Sequence, residues 1–317
     1  MSWRSLAARL RRSGVLGINE RNAAYTLVHN RRDRYPFVDD KALTKQLALQ
    51  AGVAVPELYG VIEIQQQVRS LPQLLRRHWD FVVKPARGSQ GDGIIVVTGR
   101  SRNLYRTADG GFLSDEEMCF HVSNILSGIY SLGGQSDKVL IEYRVNFDPV
   151  FEPITHRGVP DIRIIVFLGV PVMAMVRLPT RLSGGKANLH QGAIGAGVDM
   201  STGTTLSAVW RNEIVAEHPD TGNPVSGLRI PSWRALLAIA ARSYELTGLG
   251  YQGIDIVLDR DRGPLILELN ARPGLAIQIA NRTGLRNRLD MAERARPALK
   301  TVEDRVAFAL ESFGAGA

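Results

Sequence analysis

The sequence has few of the features that mark secreted or membrane-spanning proteins. Its one cysteine, Cys119, excludes an intramolecular disulfide and a cysteine-cluster metal site, which fits a reducing compartment. The N-terminal residues contain no continuous apolar h-region, so we expect a cytoplasmic rather than a secreted protein. The longest apolar stretch, residues 164–176, is interrupted by Gly169 and Pro171 and falls short of the roughly 18 residues of a membrane helix. It is more typical of two buried strands.

The chain also lacks the alternation of aromatic and basic residues that is typical of a base-stacking surface, so we do not expect nucleic acid as a partner. Among its 317 residues, 39 lysines and arginines outnumber 31 aspartates and glutamates, for a net charge of +8. This excess either suits a polyanionic partner, such as a nucleotide or an acidic substrate, or reflects basic side chains scattered over the surface. A hydrophobic content of 44% and a charged content of 22% are ordinary for a globular protein.

Two apolar runs near the C-terminus, GIDIVL and PLILEL, contain acidic residues at Asp255 and Glu268. The polar residues 259–263 between the runs predict a turn, and therefore a β-hairpin. Asn270 lies two residues after Glu268, so both side chains project from one face of their strand, and a hairpin can bring Asp255 opposite them. Two carboxylates and an amide oxygen suit Mg²⁺ bound together with phosphates. The alternative is that both carboxylates lie at strand edges in water, but a carboxylate flanked by Ile, Val and Leu is costly to bury unpaired.

A second hairpin, FVVKPARGSQGDGIIVV, contains a glycine-rich loop. Gly88, Gly91 and Gly93 allow backbone N–H groups to turn toward phosphate oxygens, and Lys84 supplies a positive charge. The stretch is neither a GxxxxGK[ST] loop nor a dinucleotide-binding fingerprint, because its glycines join two strands. An ordinary hairpin loop is the alternative. The lysine four residues before the first glycine favours phosphate binding.

Residues 1–12 are rich in arginine, and Trp3, Leu6 and Leu10 stand among those arginines at near-helical spacing. This pattern predicts a short basic amphipathic helix. Such a helix either packs on its own domain, lies on an anionic membrane surface or docks a protein partner.

Asp39 and Asp40 cap the next predicted helix, DKALTKQLALQA, which Gly52 ends. Lys41 lies in the first turn of that helix, where a cation opposes the helix dipole. By spacing alone, Lys41 is a solvated surface residue.

The segments DIRIIVFL and VPVMAMVRL predict a hairpin in the middle of the chain, and they carry Asp161, Arg163 and Arg177. The glycine-rich loop that follows contains Asn188 and His190. A long loop of this composition is more often functional than a simple connection, although a lone histidine is a weak signal. The next segment predicts a helix over residues 232–248, with Ser232 as its N-cap.

Seven motifs follow one another along the chain: Lys41, VVKPARGSQGDG, IEYR, DIR, ANLH, GIDIV and ELNARPG. In the order and approximate spacing of these motifs, the chain resembles the ATP-grasp carboxylate–amine ligases. The closest likeness is to the branch that adds glutamate to a ribosomal protein and to the related alpha-L-glutamate ligases. The resemblance covers about residues 36–285. It implies an α+β ATP-grasp fold, with two α/β lobes enclosing the nucleotide and a reduced N-terminal domain.

With this resemblance, the sequence divides into three parts. Residues 1–38 are a short basic N-terminal segment, residues 39–290 are the ATP-grasp domain, and residues 291–317 form a C-terminal helix. The smaller nucleotide lobe lies within the ATP-grasp domain, at about residues 80–140.

The resemblance also implies roles for individual residues. The predicted ATP-binding residues comprise two phosphate-binding lysines, a flap over the phosphates and a strand end that reads the adenine edge: Lys41, Lys84, Gly88, Ser89, Gln90, Gly91, Glu142 and Tyr143. The implied magnesium ligands, which would also accept Mn²⁺, are Asp255, Glu268 and Asn270. The residues implied to neutralise the transferring phosphoryl group and the acyl-phosphate are Arg163, Arg177 and Asn188. His190 lies in the matching substrate loop.

The reaction implied by the resemblance starts with attack of a substrate carboxylate on the γ-phosphate of ATP. An amine then attacks the acyl-phosphate, which gives an amide, ADP and phosphate, and no serine or cysteine nucleophile is needed. The carboxylate belongs to a small molecule or a peptide and the amine to an amino acid, with glutamate as one expected substrate. A kinase that stops at phosphoryl transfer and a non-catalytic nucleotide-binding scaffold are the alternatives.

Two features depart from the family pattern. Only forty residues precede Lys41, where such ligases usually carry a longer α/β domain, so either part of the usual substrate wall is missing or a partner protein supplies it; the sequence leaves an oligomer open. Arg272 stands where the ribosomal-protein ligases have a small residue, and it either binds a substrate carboxylate or is structural. Both departures concern the substrate and not the ATP chemistry.

Overall fold

The computed structural model describes residues 9–10, 12–88, 91–131 and 134–314. The chain divides into two compact units. The large unit consists of Met1–Val38, Leu47–Ala54 and Phe147–Ala317, and the small unit of Asp39–Gln46 and Val55–Asn146. The small unit includes residues 80–140, which the sequence assigns to the nucleotide lobe, and also the preceding strand and the start of a helix.

The small unit is built on a six-stranded antiparallel sheet with the strand order β1-β6-β2-β3-β4-β5. Its strands are β1 (Leu58–Ile62), β2 (Phe81–Pro85), β3 (Ile95–Ser101), β4 (Leu104–Thr107), β5 (Phe112–Leu113) and β6 (Val139–Glu142). Strand β2 alternates in the way that a half-buried strand requires, with Phe81 and Val83 fully buried on one face. The glycine-rich loop joins β2 to β3, as the sequence predicts.

Helices cover the apolar face of this sheet. They are a 3₁₀ turn (Gln65–Ser70), α4 (Leu71–Leu75) and α5 (Asp115–Leu126). Helix α5 starts with a capping box, in which Ser114 accepts a hydrogen bond from the Glu117 N–H and the Glu117 carboxylate accepts one from the Ser114 N–H. It buries Met118, Val122 and Ile125 against the sheet, at the spacing of one helix face.

The large unit is built on a seven-stranded sheet with the order β11-β10-β9-β8-β7-β12-β13. Its strands are β7 (Asp161–Phe167), β8 (Val170–Leu178), β9 (Ile194–Val198), β10 (Thr205–Trp210), β11 (Glu213–Val215), β12 (Tyr251–Asp259) and β13 (Gly263–Asn270). The β7–β8 and β12–β13 hairpins are antiparallel, which confirms both predictions from the sequence. The central strands are buried almost throughout, which explains their nearly continuous apolar sequence.

The helices of the large unit flank this sheet. They are α1 (residues 18–29), α2 (Pro36–Asp39), α6 (Trp233–Thr247), α7 (Ile277–Asn281), α8 (Arg286–Ala295) and α9 (Val302–Ser312), with 3₁₀ turns at Arg32–Arg34, Pro149–Ile154 and Leu189–Gln191. Helix α3 (Lys41–Gln50) contributes its first residues to the small unit and its last residues to the large unit.

The predicted N-cap is present at one of two helices. Asp40 caps α3, because its carboxylate accepts hydrogen bonds from the N–H groups of Ala42 and Leu43. Ser232 precedes α6 but has a left-handed φ of 54° and makes no side-chain cap hydrogen bond, so the predicted serine cap is wrong. A side chain can reach the first N–H groups of a helix only from an extended cap residue, and a left-handed residue turns it away.

The predicted N-terminal amphipathic helix rests on Trp3 and Leu6, which lie outside the described residues. Within the described ranges no helix has both the length and the apolar character needed to cross a bilayer.

Candidate functional site

Four charged side chains meet on one face of the large sheet. Across neighbouring strands, Asp161 is the register partner of Arg177 and Arg163 is the register partner of Asp255. Arg163 donates to both Asp255 oxygens, at 2.6 and 2.5 Å, and Arg177 donates to both Asp161 oxygens at the same distances. A third Arg177 hydrogen bond reaches Asp255 at 2.7 Å and joins the two pairs. We call these four residues the acid–arginine cluster.

Burial makes the electrostatics of the acid–arginine cluster strong. Burial raises the pKa of Asp161 to about 6, with Arg177 opposing the shift and the Asp255 carboxylate adding to it. Burial would also raise the pKa of Asp255, but Arg163 and Arg177 together outweigh it and lower the pKa to about 2. Asp255 remains ionised because it accepts hydrogen bonds from two arginines, whereas Asp161 accepts hydrogen bonds from one arginine. When the pH falls, the acid–arginine cluster therefore binds its first proton at Asp161, and its net charge increases by one.

Glu268 and Asn270 border the acid–arginine cluster on strand β13. Glu268 is the register partner of Asp255, as the hairpin pattern predicts, and both β13 side chains are half-buried. Asn270 Nδ2 lies 3.4 Å from Asp255 Oδ2. The structure therefore brings together the three residues that the sequence proposed as magnesium ligands.

This donor set has the chemistry that Mg²⁺ prefers, namely carboxylate and amide oxygens. Asp255 Oδ2 accepts from both arginines, whereas Oδ1 accepts from Arg163 Nε and keeps a second lone pair. Among the described residues, no group of three or more His, Cys, Asp or Glu side chains is arranged to hold a metal. The residues fit a shared site, in which bound phosphates would complete the coordination, better than a cation site made by protein alone.

The small unit contains a buried triad of two lysines and one glutamate. Lys84 Nζ lies 2.5 Å from one Glu142 oxygen and Lys45 Nζ lies 2.8 Å from the other. Burial lowers the pKa of Lys45 to about 8, although Glu142 opposes the shift. Burial would raise the pKa of Glu142, but the charges of Lys84 and Lys45 outweigh it and lower that pKa. The triad carries one positive charge more than its single carboxylate neutralises.

Lys41 lies against the glycine-rich loop. Its Nζ donates to the Gly88 carbonyl oxygen at 2.8 Å, and its backbone N–H donates to the Ala86 carbonyl oxygen at 3.1 Å. Gly88 itself has no space for a side chain, because a Cβ there would lie 2.2 Å from Pro85 Cγ. Gly91 has a left-handed φ of 78°, which favours glycine. Ser89 and Gln90, the other predicted flap residues, lie outside the described residues.

The base of this loop is anchored from below by Asp137, which is almost fully buried. Its carboxylate accepts hydrogen bonds from the Arg87 N–H, the Lys138 N–H and the Ser131 hydroxyl. Gly88 also forms an isolated bridge with Ser131. The glycine-rich loop thus starts from a fixed position, which a phosphate-binding loop requires.

The remaining predicted residues lie in separate places. Tyr143 follows β6, and its N–H donates to the Glu57 carbonyl oxygen at 2.8 Å, so this N–H is already used within the small unit. Asn188 and His190 lie in the loop between β8 and β9, where Asn188 Oδ1 accepts from the His190 N–H at 3.0 Å. His190 is exposed.

Arg272 is exposed two residues after Asn270, with its guanidinium 5.1 Å from the centre of the Tyr35 ring. Burial lowers the pKa of nearby Arg21, and the charge of Arg272 contributes to that shift. Arg272 therefore adds positive charge close to the end of β13.

Two members of these clusters, Asp161 and Lys45, received no role from the sequence, although Asp161 was recognised on the predicted hairpin. Both carry a local signal that could have identified them. Asp161 lies two residues from Arg163 on one strand, which places both on one face. Lys45 lies four residues from Lys41 on one helix, which places both on one side.

Comparison with known proteins gives one extensive family match. The model of a family described as "sugar-transfer associated ATP-grasp" matches residues 20–294. No curated protein matches the sequence.

The chain is also similar to a number of solved structures, three of which follow. The chain shares 15% identity and a TM-score of 0.48 with the ATP-grasp ligase PsnB complexed with a minimal precursor, covering 85% of this chain and 63% of PsnB. With the D-cycloserine synthetase DcsG the chain shares 16% identity and a TM-score of 0.45, and the match covers 84% of this chain and 72% of DcsG. With the D-alanine–D-alanine ligase of Bacillus anthracis complexed with ATP the chain shares 13% identity and a TM-score of 0.44, and the match covers 88% of this chain and 67% of that ligase. At these scores the likenesses carry no argument about activity, and the chain spans less than two thirds of PsnB.

Proposed function

Because the chain belongs to the family of sugar-transfer associated ATP-grasp proteins, we propose that it is an ATP-dependent ligase that joins a carboxylate to an amine through an acyl-phosphate. Membership of this family confirms the ATP-grasp fold predicted from the sequence. The closer assignment to the ribosomal-protein glutamate ligase branch stays a prediction.

The acid–arginine cluster is the observation that carries the proposal. Phosphoryl transfer needs positive charge held at fixed positions rather than a protein nucleophile. Arg163 and Arg177 are each held by two hydrogen bonds to one carboxylate, so their guanidinium planes are oriented before any substrate binds. A protein that only binds nucleotide for structural reasons would not need two oriented arginines beside Glu268.

The small unit would supply the phosphate-binding groups. Lys41 stands at the glycine-rich loop, and the Lys84 ammonium has three N–H donors, of which Glu142 accepts one. We infer that Lys41 and Lys84 bind ATP phosphates, and that Glu142 holds Lys84 and Lys45 in place. Backbone N–H groups of the loop at Gly88 and Gly91 would add further donors.

The large unit would supply the metal ligands and the arginines. Asp255, Glu268 and Asn270 would hold Mg²⁺, or Mn²⁺ in its place, which when bound neutralises charge on the nucleotide phosphates. Arg163 and Arg177 would stabilise the negative charge on the transferring phosphoryl group. Asn188 and His190 would face the acyl-phosphate or the amine from their loop.

The proposed reaction has two steps. A carboxylate oxygen forms a bond to the γ-phosphorus of ATP while the bond from that phosphorus to the β-bridging oxygen breaks, and ADP leaves. The amine nitrogen then forms a bond to the acyl carbon, the carbon–oxygen bond to phosphate breaks, and the nitrogen loses a proton. The products are one amide, one ADP and one phosphate.

We propose three classes of substrate. The sequence motifs favour glutamate as the carboxylate or the amine, and Arg272 is the residue that would bind a free substrate carboxylate. The family description refers to sugar transfer, so amino sugars and sugar acids belong among the candidates. A peptide carboxylate is the third class.

The test is a product screen by mass spectrometry. The protein is incubated with ATP, Mg²⁺ and pools of amino acids, amino sugars, sugar acids and short peptides, with Glu268→Gln as the inactive control. We expect a new amide and stoichiometric ADP in the wild-type sample alone. A stable phosphorylated product that forms without an amine would instead identify a kinase. ATP left unchanged by every pool would favour a nucleotide-binding scaffold.

A further inference from the structure

Helix α1 exposes an apolar face that the ligase reaction does not use. Ile18, Leu27 and Val28 are exposed to 61%, 62% and 66%, and Ala23 and Ala24 between them are also exposed. We call these five residues the apolar stripe. It is unusual for a helix of a globular protein to leave this many neighbouring apolar side chains in water.

A π-helical turn helps to form the apolar stripe. Ile18 and Leu27 are nine residues apart, which is two and a half turns of a regular α-helix and would place them on opposite sides. Residues Arg21–Thr26 form a π-helix instead, whose hydrogen bonds reach back five residues and whose turns are therefore wider. The wider turn rotates Leu27 part of the way toward the side on which Ile18 is exposed, and Val28 lies four residues after Ala24, on the same side as Ala24.

The opposite face of α1 is firmly attached to the large unit, so the apolar stripe does not result from a loosely held helix. Tyr25 is buried and packs edge-on against Phe167, with ring centres 5.5 Å apart. Glu20 forms an ion pair with Arg286 of α8. Asn30, just after the helix, donates to the Tyr251 carbonyl oxygen at 2.7 Å.

Positive charge flanks the apolar stripe. Residues 1–36 contain eight arginines against one glutamate and one aspartate, so this short stretch carries most of the net charge of +8. Arg12 before the helix, and Arg31 and Arg32 after it, are exposed. The apolar stripe therefore lies between exposed arginines at both of its ends.

This combination matches an anionic lipid surface better than a protein partner. Apolar side chains that reach the acyl boundary, together with arginines at the level of the head groups, are typical of helices that lie in the membrane interface. A standard protein interface uses roughly 20–30 residues on each side. Five apolar side chains are few for such an interface but sufficient for a shallow lipid contact when basic residues assist.

We propose that the apolar stripe and its flanking arginines bind the large unit to the surface of an anionic phospholipid bilayer. The contact is peripheral, because the helix lies on the membrane and does not cross it. The proposal does not depend on the ligase reaction. Bound at the membrane surface, the enzyme would have access to lipid-linked or membrane-bound substrates.

The test is co-sedimentation with vesicles at low and at high salt. We expect the wild-type protein to bind vesicles that contain phosphatidylglycerol, to bind pure phosphatidylcholine vesicles at least about tenfold more weakly, and to be released by salt. Leu27→Glu combined with Val28→Glu should weaken binding at least about tenfold, since both side chains are exposed and the fold is retained. Phe120→Glu, at an equally exposed apolar residue of the small unit, is the matched control and should bind as the wild type does.

Three results would overturn the proposal. The first is a wild-type protein that does not sediment with anionic vesicles, and the second is a Leu27→Glu, Val28→Glu variant that binds as well as the wild type. The third is a concentration-dependent dimer, seen by analytical ultracentrifugation, that the double variant abolishes, because it would assign the stripe to a second copy of the chain. Thermal unfolding and ATP turnover of the variants confirm that fold and active site are unchanged.

Discussion

Asp255 on β12 and Glu268 on β13 are register partners on adjacent strands; the Asp255 carboxylate accepts hydrogen bonds from Arg163 and Arg177, and the charge of Glu268 also acts on Arg177. The two acids therefore have different tasks although they lie side by side. Asp255 holds Arg163 and Arg177 in place and can offer one further lone pair. Glu268 is half-buried and is the second carboxylate of the proposed metal site.

Glu268→Gln should abolish turnover and leave stability nearly unchanged. The amide keeps the size of the side chain but removes the negative charge that a magnesium ion needs, so we expect ADP release to fall at least about 100-fold. Because Glu268 is half-buried, the change in the free energy of unfolding should stay below about 1 kcal/mol. ADP release and urea unfolding measure the two effects. Asp261→Asn, in the exposed turn of the same hairpin, is the control, and equal activity of the two variants would refute the metal role.

Asp255→Ala should lose both activity and stability. The substitution leaves Arg163 without its carboxylate and Arg177 with Asp161 alone, all in a buried setting. Removing one partner of a buried ion pair costs about 3–5 kcal/mol. Urea unfolding of the variant against the wild type measures this cost. A variant that is inactive but fully stable would show that the arginines do not depend on Asp255.

Lys84→Met should weaken binding of ATP while the small unit stays folded. The loss of one charge-assisted hydrogen bond to phosphate corresponds to a Kd about 10- to 100-fold higher, and Glu142 keeps Lys45 as its partner. Isothermal titration calorimetry with a non-hydrolysable ATP analogue measures the affinity. Lys138→Met is the matched control, because Lys138 pairs with Glu63 at the surface of the same unit. An unchanged Kd for Lys84→Met would remove Lys84 from the phosphate site.

Lys45 should make stability depend on pH in the alkaline range. Its pKa is about 8 in the folded protein against the ordinary lysine value of 10.5, so between these pH values the unfolded chain binds more protons than the folded one. Stability therefore gains from this residue as pH rises through the window, by up to about 1.4 kcal/mol per pH unit. The difference in unfolding free energy between wild type and Lys45→Met should show this slope from pH 8 to 10.5. Parallel curves for the two proteins would contradict the assignment.

Much of the site follows from patterns within a few residues. The period of two along a strand identifies Glu268 with Asn270, and the turn between two apolar runs brings Asp255 opposite them. The glycine spacing after Lys84 likewise predicts the loop against which Lys41 lies. Each of these inferences needs only local geometry and one hairpin.

The parts that were missed depend on pairings between distant segments. Asp161 joins the site through Arg177, whose hydrogen bond to Asp255 spans 78 residues, and no local pattern gives that contact. Lys45 gains its role from Glu142 on β6, again far along the chain. The left-handed backbone at Ser232 and the π-helical turn of α1 are local departures from the regular geometry that sequence patterns assume.

The most direct test of the account follows oxygen from the carboxylate to phosphate. A carboxylate substrate identified by the product screen is labelled with ¹⁸O at both oxygens and incubated with the protein, ATP, Mg²⁺ and the amine. If an acyl-phosphate forms, each inorganic phosphate should carry one ¹⁸O atom, in amounts equal to ADP and to the amide. Unlabelled phosphate, or label found in AMP, would contradict the proposed reaction.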